Sequence, residues 1–129
     1  MTDSLKERAT AYVEAAGRGQ YERLPELLDP EIEFRGPYVS LQGAAAYTTA
    51  LRRLAAVRLR HDIRKVFVDG DEVCVIYDFV TDTPARAVPF VEWLTFANGR
   101  LRSIQLYFDR EQFAPAREAL MRLARADAS

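Results

Sequence analysis

From Leu59 onward apolar side chains recur at every second position, and the run is punctuated by Asp69-Gly70, by Asp82 to Ala85 and by Asn98-Gly99. A period of two marks strands with one buried face, and Asp-Gly or Asn-Gly between such runs marks a hairpin turn. The segment therefore reads as four strands, Leu59–Val68, Glu72–Thr81, Arg86–Ala97 and Arg100–Asp109, in an antiparallel meander. A sheet of that size needs a cover for at least one face.

The cover comes from upstream, where the period lengthens. Leu5, Ala9, Tyr12, Val13 and Ala16 share one face of a helix predicted from Ser4 to Ala16, capped by Asp3 or Ser4 and ended by Gly17 and Gly19. A shorter helix carries Leu24, Leu27 and Leu28 and is halted by Asp29-Pro30. Ile32 and Phe34 alternate with charged neighbours in a short strand ending at Gly36-Pro37, and Tyr47, Leu51 and Leu54 mark a third helix after Gly43. A last helix, placed from near Pro115, carries Leu120 and Leu123. The expected architecture is α+β, with helices laid against one face of a bent sheet. The chain has 129 residues, 49% of them hydrophobic and 29% charged, which suits a single domain over residues 1–129 with one core.

Several function classes drop out on composition. A net charge of -1 implies neither nucleic acid nor an anionic membrane as partner. The basic run Arg52, Arg53, Arg58, Arg60, Arg64, Lys65 lacks interleaved stacking aromatics and reads as a solvated helix face and strand edge. With Cys74 the only cysteine there is no internal disulfide or thiolate cluster, and with His61 the only histidine a multi-histidine metal site is excluded, though a mixed carboxylate site is not. No nucleophile elbow and no Gly-rich phosphate loop is present, so no metal and no other cofactor is expected. The opening MTDSLKERAT lacks the apolar core of a signal peptide and no run reaches membrane-spanning length, so the expectation is a cytoplasmic protein with no membrane partner.

One residue contradicts the greasy face it belongs to. In PFVEWLTF, Glu92 alternates with Phe90, Leu94 and Phe96, and a charge there is costly unless paired or neutralised. Two-residue turns at Asn98-Gly99 and Asp69-Gly70 would set Glu92 opposite Gln105, Phe90 opposite Tyr107, Ile63 opposite Ile76 and His61 opposite Asp78. An odd-length loop through Thr83-Pro84-Ala85 would bring Asp78 and Glu92 to one face. That face would carry His61, Asp78, Glu92, Gln105 and Tyr107 among Ile63, Ile76, Phe90 and Leu94, the pattern of a ligand cavity. The other face, with Val73, Val75, Tyr77, Phe79, Val91, Trp93, Ile104, Leu106 and Phe108, is too apolar to stay exposed, which predicts a homodimer through the outer sheet face.

The element order together with YVEAAGRG, LLDPEIEF, VFVDGDEVCVIYDF and VEWLTFANGRLRSIQLYFD resembles the nuclear transport factor 2-like superfamily over roughly Ser4 to Phe113. Members include ketosteroid isomerase, scytalone dehydratase, SnoaL-type polyketide cyclases, limonene epoxide hydrolase and catalytically silent binding or dimerisation modules. The resemblance implies a cystatin-like, cone-shaped barrel: a strongly curved antiparallel sheet, N-terminal helices on its concave face, a C-terminal helix, and a small hydrophobic molecule inside. Tyr12 looks like the tyrosine, and Glu92 like the neutral acid, of the ketosteroid isomerase oxyanion hole. The position of that enzyme's aspartate base falls on Arg35.

The resulting expectation is a cofactor-independent acid-base enzyme of isomerase, dehydratase, cyclase or epoxide hydrolase type, with Tyr12, His61, Asp78 and Glu92 as its catalytic set. Phe34, Tyr38, Ile63, Ile76, Phe90, Leu94, Gln105 and Tyr107 are the expected substrate-binding residues. The alternative is a non-catalytic small-ligand-binding or dimerisation module of the same fold. Residue by residue, Glu92 has the alternative of an ion pair with Arg58 or Arg102, and His61 with Asp78 that of a cross-strand pair. Tyr12 has the alternative of a core filler with its hydroxyl satisfied.

Overall fold

The computed structural model describes residues 4–128. Ser4 caps helix α1 (Leu5–Arg18) by accepting from the Glu7 amide at 3.1 Å, and Gly19 ends it in the left-handed conformation at φ 69°. A 3₁₀ turn, Tyr21–Arg23, leads into the single-turn α2 (Leu24–Leu27). Strands β1 (Leu28–Arg35) and β2 (Ser40–Gln42) precede α3 (Ala44–Leu54), and the meander follows as β3 (Arg58–Asp69), β4 (Glu72–Thr81), β5 (Ala87–Ala97) and β6 (Arg100–Tyr107). The chain closes with α4 (Arg110–Ala128). Among the described residues no helix is long and apolar enough to cross a membrane.

The strands form one curved sheet in the order β2-β1-β6-β5-β4-β3, antiparallel throughout except where β1 runs parallel to β6. Register shifts interrupt the β1/β6, β3/β4 and β5/β6 ladders, and each such bulge bends its strand and tightens the twist. Helix α1 packs over β3 and β4 on the concave side and α3 over β1. The core between them includes Tyr12, Val13, Ile32, Val75, Leu94 and Ile104, all nearly inaccessible. This is the α+β architecture expected from the order of elements.

Two proline positions behave differently from expectation. Asp29-Pro30 does not stop a helix: it lies within β1, in the irregular stretch between Leu28 and Glu33 where the ladder to β6 slips. There the missing amide hydrogen of Pro30 is tolerated. Helix α4 begins at Arg110, five residues before Pro115, because the Asp109 carboxylate accepts from the Glu111 and Gln112 amides and supplies an N-terminal cap.

The larger difference is parity. Gly70-Asp71 forms the first hairpin loop, with Asp69 opposite Glu72. That displacement moves the register by two and preserves which residues share a face, but the bulge between Ile63 and Lys65 then moves it by one. His61 therefore stands opposite Phe79, not Asp78, and Ile63 opposite Tyr77. Asn98-Gly99 turns as expected, with φ of 53° and 77° and Ala97 opposite Arg100. A bulge between Thr95 and Phe96 then sets Glu92 opposite Leu106 and sends Gln105 and Tyr107 outward. The connection between β4 and β5 is a four-residue loop closed by the Thr81 amide on the Arg86 carbonyl at 2.6 Å. Its even length places Asp78 opposite Pro89 on the outer face and turns Tyr77 and Phe79 inward.

Candidate functional site

Helices α1 and α3, the inner faces of β1 and β3 to β6, and the Gly36–Val39 loop enclose a cavity of about 120 Å³. Its wall is mostly aromatic and aliphatic, and Tyr38 and Val39, 36% and 49% exposed, mark where it opens. An apolar cavity of about 150 Å³ holds a benzene, so the enclosed part of any ligand is of about that size.

Glu92 sits in this wall at 4% exposure. Tyr12 Oη donates to its Oε1 at 2.7 Å, Tyr77 Oη donates to its Oε2, and the Tyr12 hydroxyl is also linked to that of Tyr47. The four groups come from α1, α3, β4 and β5, so the network ties the helical cover to the sheet. Burial raises the carboxyl pKa of Glu92 above its ordinary value, and the two tyrosine hydrogen bonds oppose that rise without cancelling it. Burial likewise holds Tyr12, Tyr47 and Tyr77 well above the ordinary phenol value, with the Glu92 charge adding to the effect. Among the described residues no arginine pairs with Glu92: the Arg58 guanidinium donates to the Leu51 carbonyl and to the Tyr21 hydroxyl at 2.8 Å, and Arg102 donates to the Glu31 carbonyl.

His61 reaches the cavity from β3. Its Nδ1 lies 2.9 Å from the Val13 carbonyl, which fixes the proton on Nδ1 because a carbonyl oxygen only accepts. Nε2 is buried and has no hydrogen-bond partner among the described residues. The ring lies against Tyr77, with centroids 4.5 Å apart, and against Gly17, where a Cβ would fall 2.8 Å from the imidazole Cγ. Burial pulls its pKa down to about 4; the Val13 carbonyl works against that and the nearby Arg58 charge with it.

Of the residues expected to form the site, the structure gathers Tyr12, His61 and Glu92 around the cavity with Phe34, Tyr38 and Phe90. Asp78 is a correction: it lies on the outer face, 3.5 Å from Arg64, and orients no imidazole. Ile76, Gln105 and Tyr107 also face outward, Tyr107 at 48% exposure, because of the bulges and the even-length loop described above. Leu94 points inward as expected but is fully buried core between Val73 and Ile104, and Ile63 packs against the core at the edge strand; neither lines the cavity. Arg35, at the resemblance's base position, is exposed on β1 while its neighbour Phe34 faces the cavity. Tyr47 was missed, and Tyr77 is a correction: expected on the outer dimer face with Val73, Val75, Phe79, Ile104, Leu106 and Phe108, it turns inward with them, which leaves only Val91 and Trp93 of that set outside. Each tyrosine reads as an apolar stripe residue, and the only local clue is that a buried tyrosine hydroxyl needs a partner.

The fold is shared widely. A nuclear transport factor 2-like protein of unknown function from Cytophaga hutchinsonii superposes with a TM-score of 0.75 at 17% identity, over 88% of this chain and 97% of that one. A protein from Sinorhizobium meliloti, provisionally described as a polyketide cyclase, gives 0.71 at 18% identity over 78% and 94%. A hypothetical protein from Catenulispora acidiphila with a ketosteroid isomerase-like fold, solved in complex with trimethylamine, gives 0.69 at 21% identity over 80% and 85%. At such identities the likeness is one of fold. No curated protein sequence matches the chain. The model of the SnoaL-like domain matches residues 9–104, most of the chain, and the protein belongs to that family.

Proposed function

We propose that the chain is a cofactor-independent acid-base enzyme acting on a small apolar molecule with one oxygen acceptor. The proton count of the buried network carries this reading. Three hydrogen bonds join Tyr47, Tyr12, Glu92 and Tyr77. An ionised Glu92 leaves three hydroxyl protons for three links, and the network closes on itself. A neutral Glu92 adds a fourth proton, for which the network holds no acceptor. Burial favours that neutral form. The surplus O–H is then a donor in a dry cavity, where a substrate oxygen is the acceptor it lacks.

His61 supplies the complementary group. With its proton held by Val13, Nε2 offers a buried lone pair. A donor and an acceptor in one apolar cavity suit proton transfer at a carbon next to a carbonyl, dehydration, cyclisation or epoxide opening: the donor takes up charge developing on oxygen while Nε2 accepts the proton. The test is deuterium incorporation at the α-carbon of cyclohexanone in D2O, followed by NMR. The wild type is expected to accelerate exchange, and Glu92→Gln to lose about 100-fold or more of that acceleration. A Gln variant as active as the wild type overturns the role given to Glu92.

A second reading, a non-catalytic small-ligand-binding module, has its own support. His61 lacks a carboxylate behind it, and an imidazole whose pKa lies at about 4 is a weak base at neutral pH. The trimethylamine held by the Catenulispora acidiphila protein is a molecule that a cavity of this size accommodates. Binding of cyclohexanone without exchange favours this reading.

We also propose that two copies pair through the outer sheet face, where Phe67, Trp93 and Tyr107 are half exposed beside Ile76 and Val91.

A further inference from the structure

Tyr38 belongs both to the cavity wall and to the surface. The first turns of α4 close over its loop: the Phe113 ring lies 6.3 Å from that of Tyr38, and Arg110 donates to the Pro37 carbonyl. Two guanidinium groups flank the Tyr38 ring, Arg117 at 4.5 Å and Arg110 at 5.1 Å from its centroid. They are two turns apart on one helix and so project from the same side. Among the described residues neither forms an ion pair, although Glu111 and Glu118 are their sequence neighbours, and the Asp109 carboxylate is engaged in capping α4. Tyr21 is likewise flanked by two arginines, Arg52 at 4.6 Å and Arg58 at 5.9 Å, but it does not line the cavity. By contrast, the Arg110 and Arg117 guanidinium groups stand beside the mouth of the cavity, where their N–H forks can donate to an anion seated at the rim.

We propose that the ligand of this cavity is an organic anion whose carboxylate or phosphate is held at the rim by Arg110 and Arg117, while an apolar part of about benzene size passes Tyr38 into the enclosed space. This rests on reading the cavity as a small-molecule site and is independent of catalysis there. It explains why the cavity is small and almost wholly apolar: the charged end of the ligand stays outside, where the guanidinium forks and water both reach it.

The test is calorimetric titration of three matched probes, 3-phenylpropanol, 3-phenylpropionate and 3-phenylpropyl phosphate, into the wild type, Arg110→Gln, Arg117→Gln and the double variant. Both arginines are exposed, so unchanged thermal midpoints are the control for folding. The expected result is that at least one anion binds the wild type about tenfold or more tighter than the alcohol, with the preferred head group identifying itself and the advantage shrinking at high salt. The double variant is expected to bind that anion no better than the alcohol, with alcohol binding unchanged. Equal binding of alcohol and both anions by the wild type overturns the proposal. So does an equal loss of all three probes in the variants, which would make the arginines a clamp for the Tyr38 loop. Binding of none of the probes overturns the cavity reading as well, whereas binding of the alcohol without anion preference overturns this inference alone.

Discussion

Tyr77 and Glu92 meet on a diagonal of the β4–β5 ladder. Glu92 stands opposite Val75, Tyr77 follows Val75 by two residues on the same face, and its hydroxyl donates to Oε2 of Glu92. Diagonal neighbours in an antiparallel pair are within reach of an aromatic side chain, so this bond follows from the β4–β5 register.

Tyr77→Phe removes one of the two donors on a fully buried carboxyl group. The loss of a buried hydrogen bond with its partner left in place costs about 1–3 kcal/mol, to be read from urea unfolding at neutral pH. The hydrogen bond from Tyr77 lowers the Glu92 pKa, so its removal moves that pKa further up. The infrared band of the protonated carboxyl group is expected to persist to higher pH in the variant than in the wild type. A band that disappears at lower pH in Tyr77→Phe contradicts the assignment of Tyr77 as donor.

His61 gives a pH dependence of determined sign. Its folded pKa of about 4 lies below the ordinary 6.5, so between those values the unfolded chain binds a proton that the folded chain refuses. Stability from this group is complete above about pH 6.5 and is lost as pH falls towards 4, by about 3 kcal/mol. Glu92 runs the other way: its folded pKa is raised above 4.5, so its contribution is present below that value and is lost as pH rises through the folded pKa. His61→Asn separates the two, because the asparagine amide keeps a donor for the Val13 carbonyl and does not titrate. The stability advantage of wild type over His61→Asn is expected to shrink by about 3 kcal/mol between pH 7 and pH 4. An advantage independent of pH removes the buried, neutral imidazole from the account.

Gly17 is helical, and replacing a helical glycine with alanine ordinarily stabilises by about 0.5–1 kcal/mol. Here the added Cβ would lie 2.8 Å from the His61 Cγ, too close for both to remain in place. Gly17→Ala is therefore expected to destabilise, and to break the His61–Val13 hydrogen bond as the ring moves. Thermal unfolding reads the first effect, and an upward shift of the imidazole pKa by NMR, as the ring gains solvent, reads the second. A stabilised variant with an unchanged imidazole would show that the helix yields instead.

The alternation from Leu59, the Asn98-Gly99 turn and the helical stripes are local properties, and the sheet, its strand boundaries and the inward face of β5 followed from them. Parity on β4 and β6 did not. It depends on a bulge between Ile63 and Lys65, another between Thr95 and Phe96, and the count of residues in the Asp82–Ala85 loop, none of which has a local signature. A shift of one residue moves every side chain of a strand to the other face, so Asp78, Gln105 and Tyr107 left the expected site while Tyr77 and Leu106 entered it. Glu92 was legible because a carboxyl group on an apolar face is conspicuous whatever pairs with it. Tyr12 was expected beside it, but its second partner, Tyr77, was hidden because tyrosine suits either face of a sheet.

The outer face supplies the last prediction. Trp93 is 45% exposed at the middle of the sheet and Tyr107 is 48% exposed on the neighbouring strand, diagonal across the ladder, with Val91 between them and Ile76 on the far side. Gln105 stands opposite Trp93 at the border of this apolar patch, and Trp93 Nε1 donates to Glu72 at 2.8 Å. Pairing with a second copy removes it from solvent, and a stable interface of that kind buries about 1,200–2,000 Å² in total with aromatic side chains near its centre. The wild type is expected to elute as a dimer in size-exclusion chromatography with light scattering at micromolar concentration. Trp93→Asp places a charge at the centre of the contact, where truncating an aromatic anchor alone costs about 2 kcal/mol or more, and is expected to elute as a monomer. Because Trp93 points away from the cavity, that monomer should still bind 3-phenylpropanol if the wild type does. A wild type that is monomeric at micromolar concentration, or a Trp93→Asp variant that remains dimeric, rules out pairing through this face.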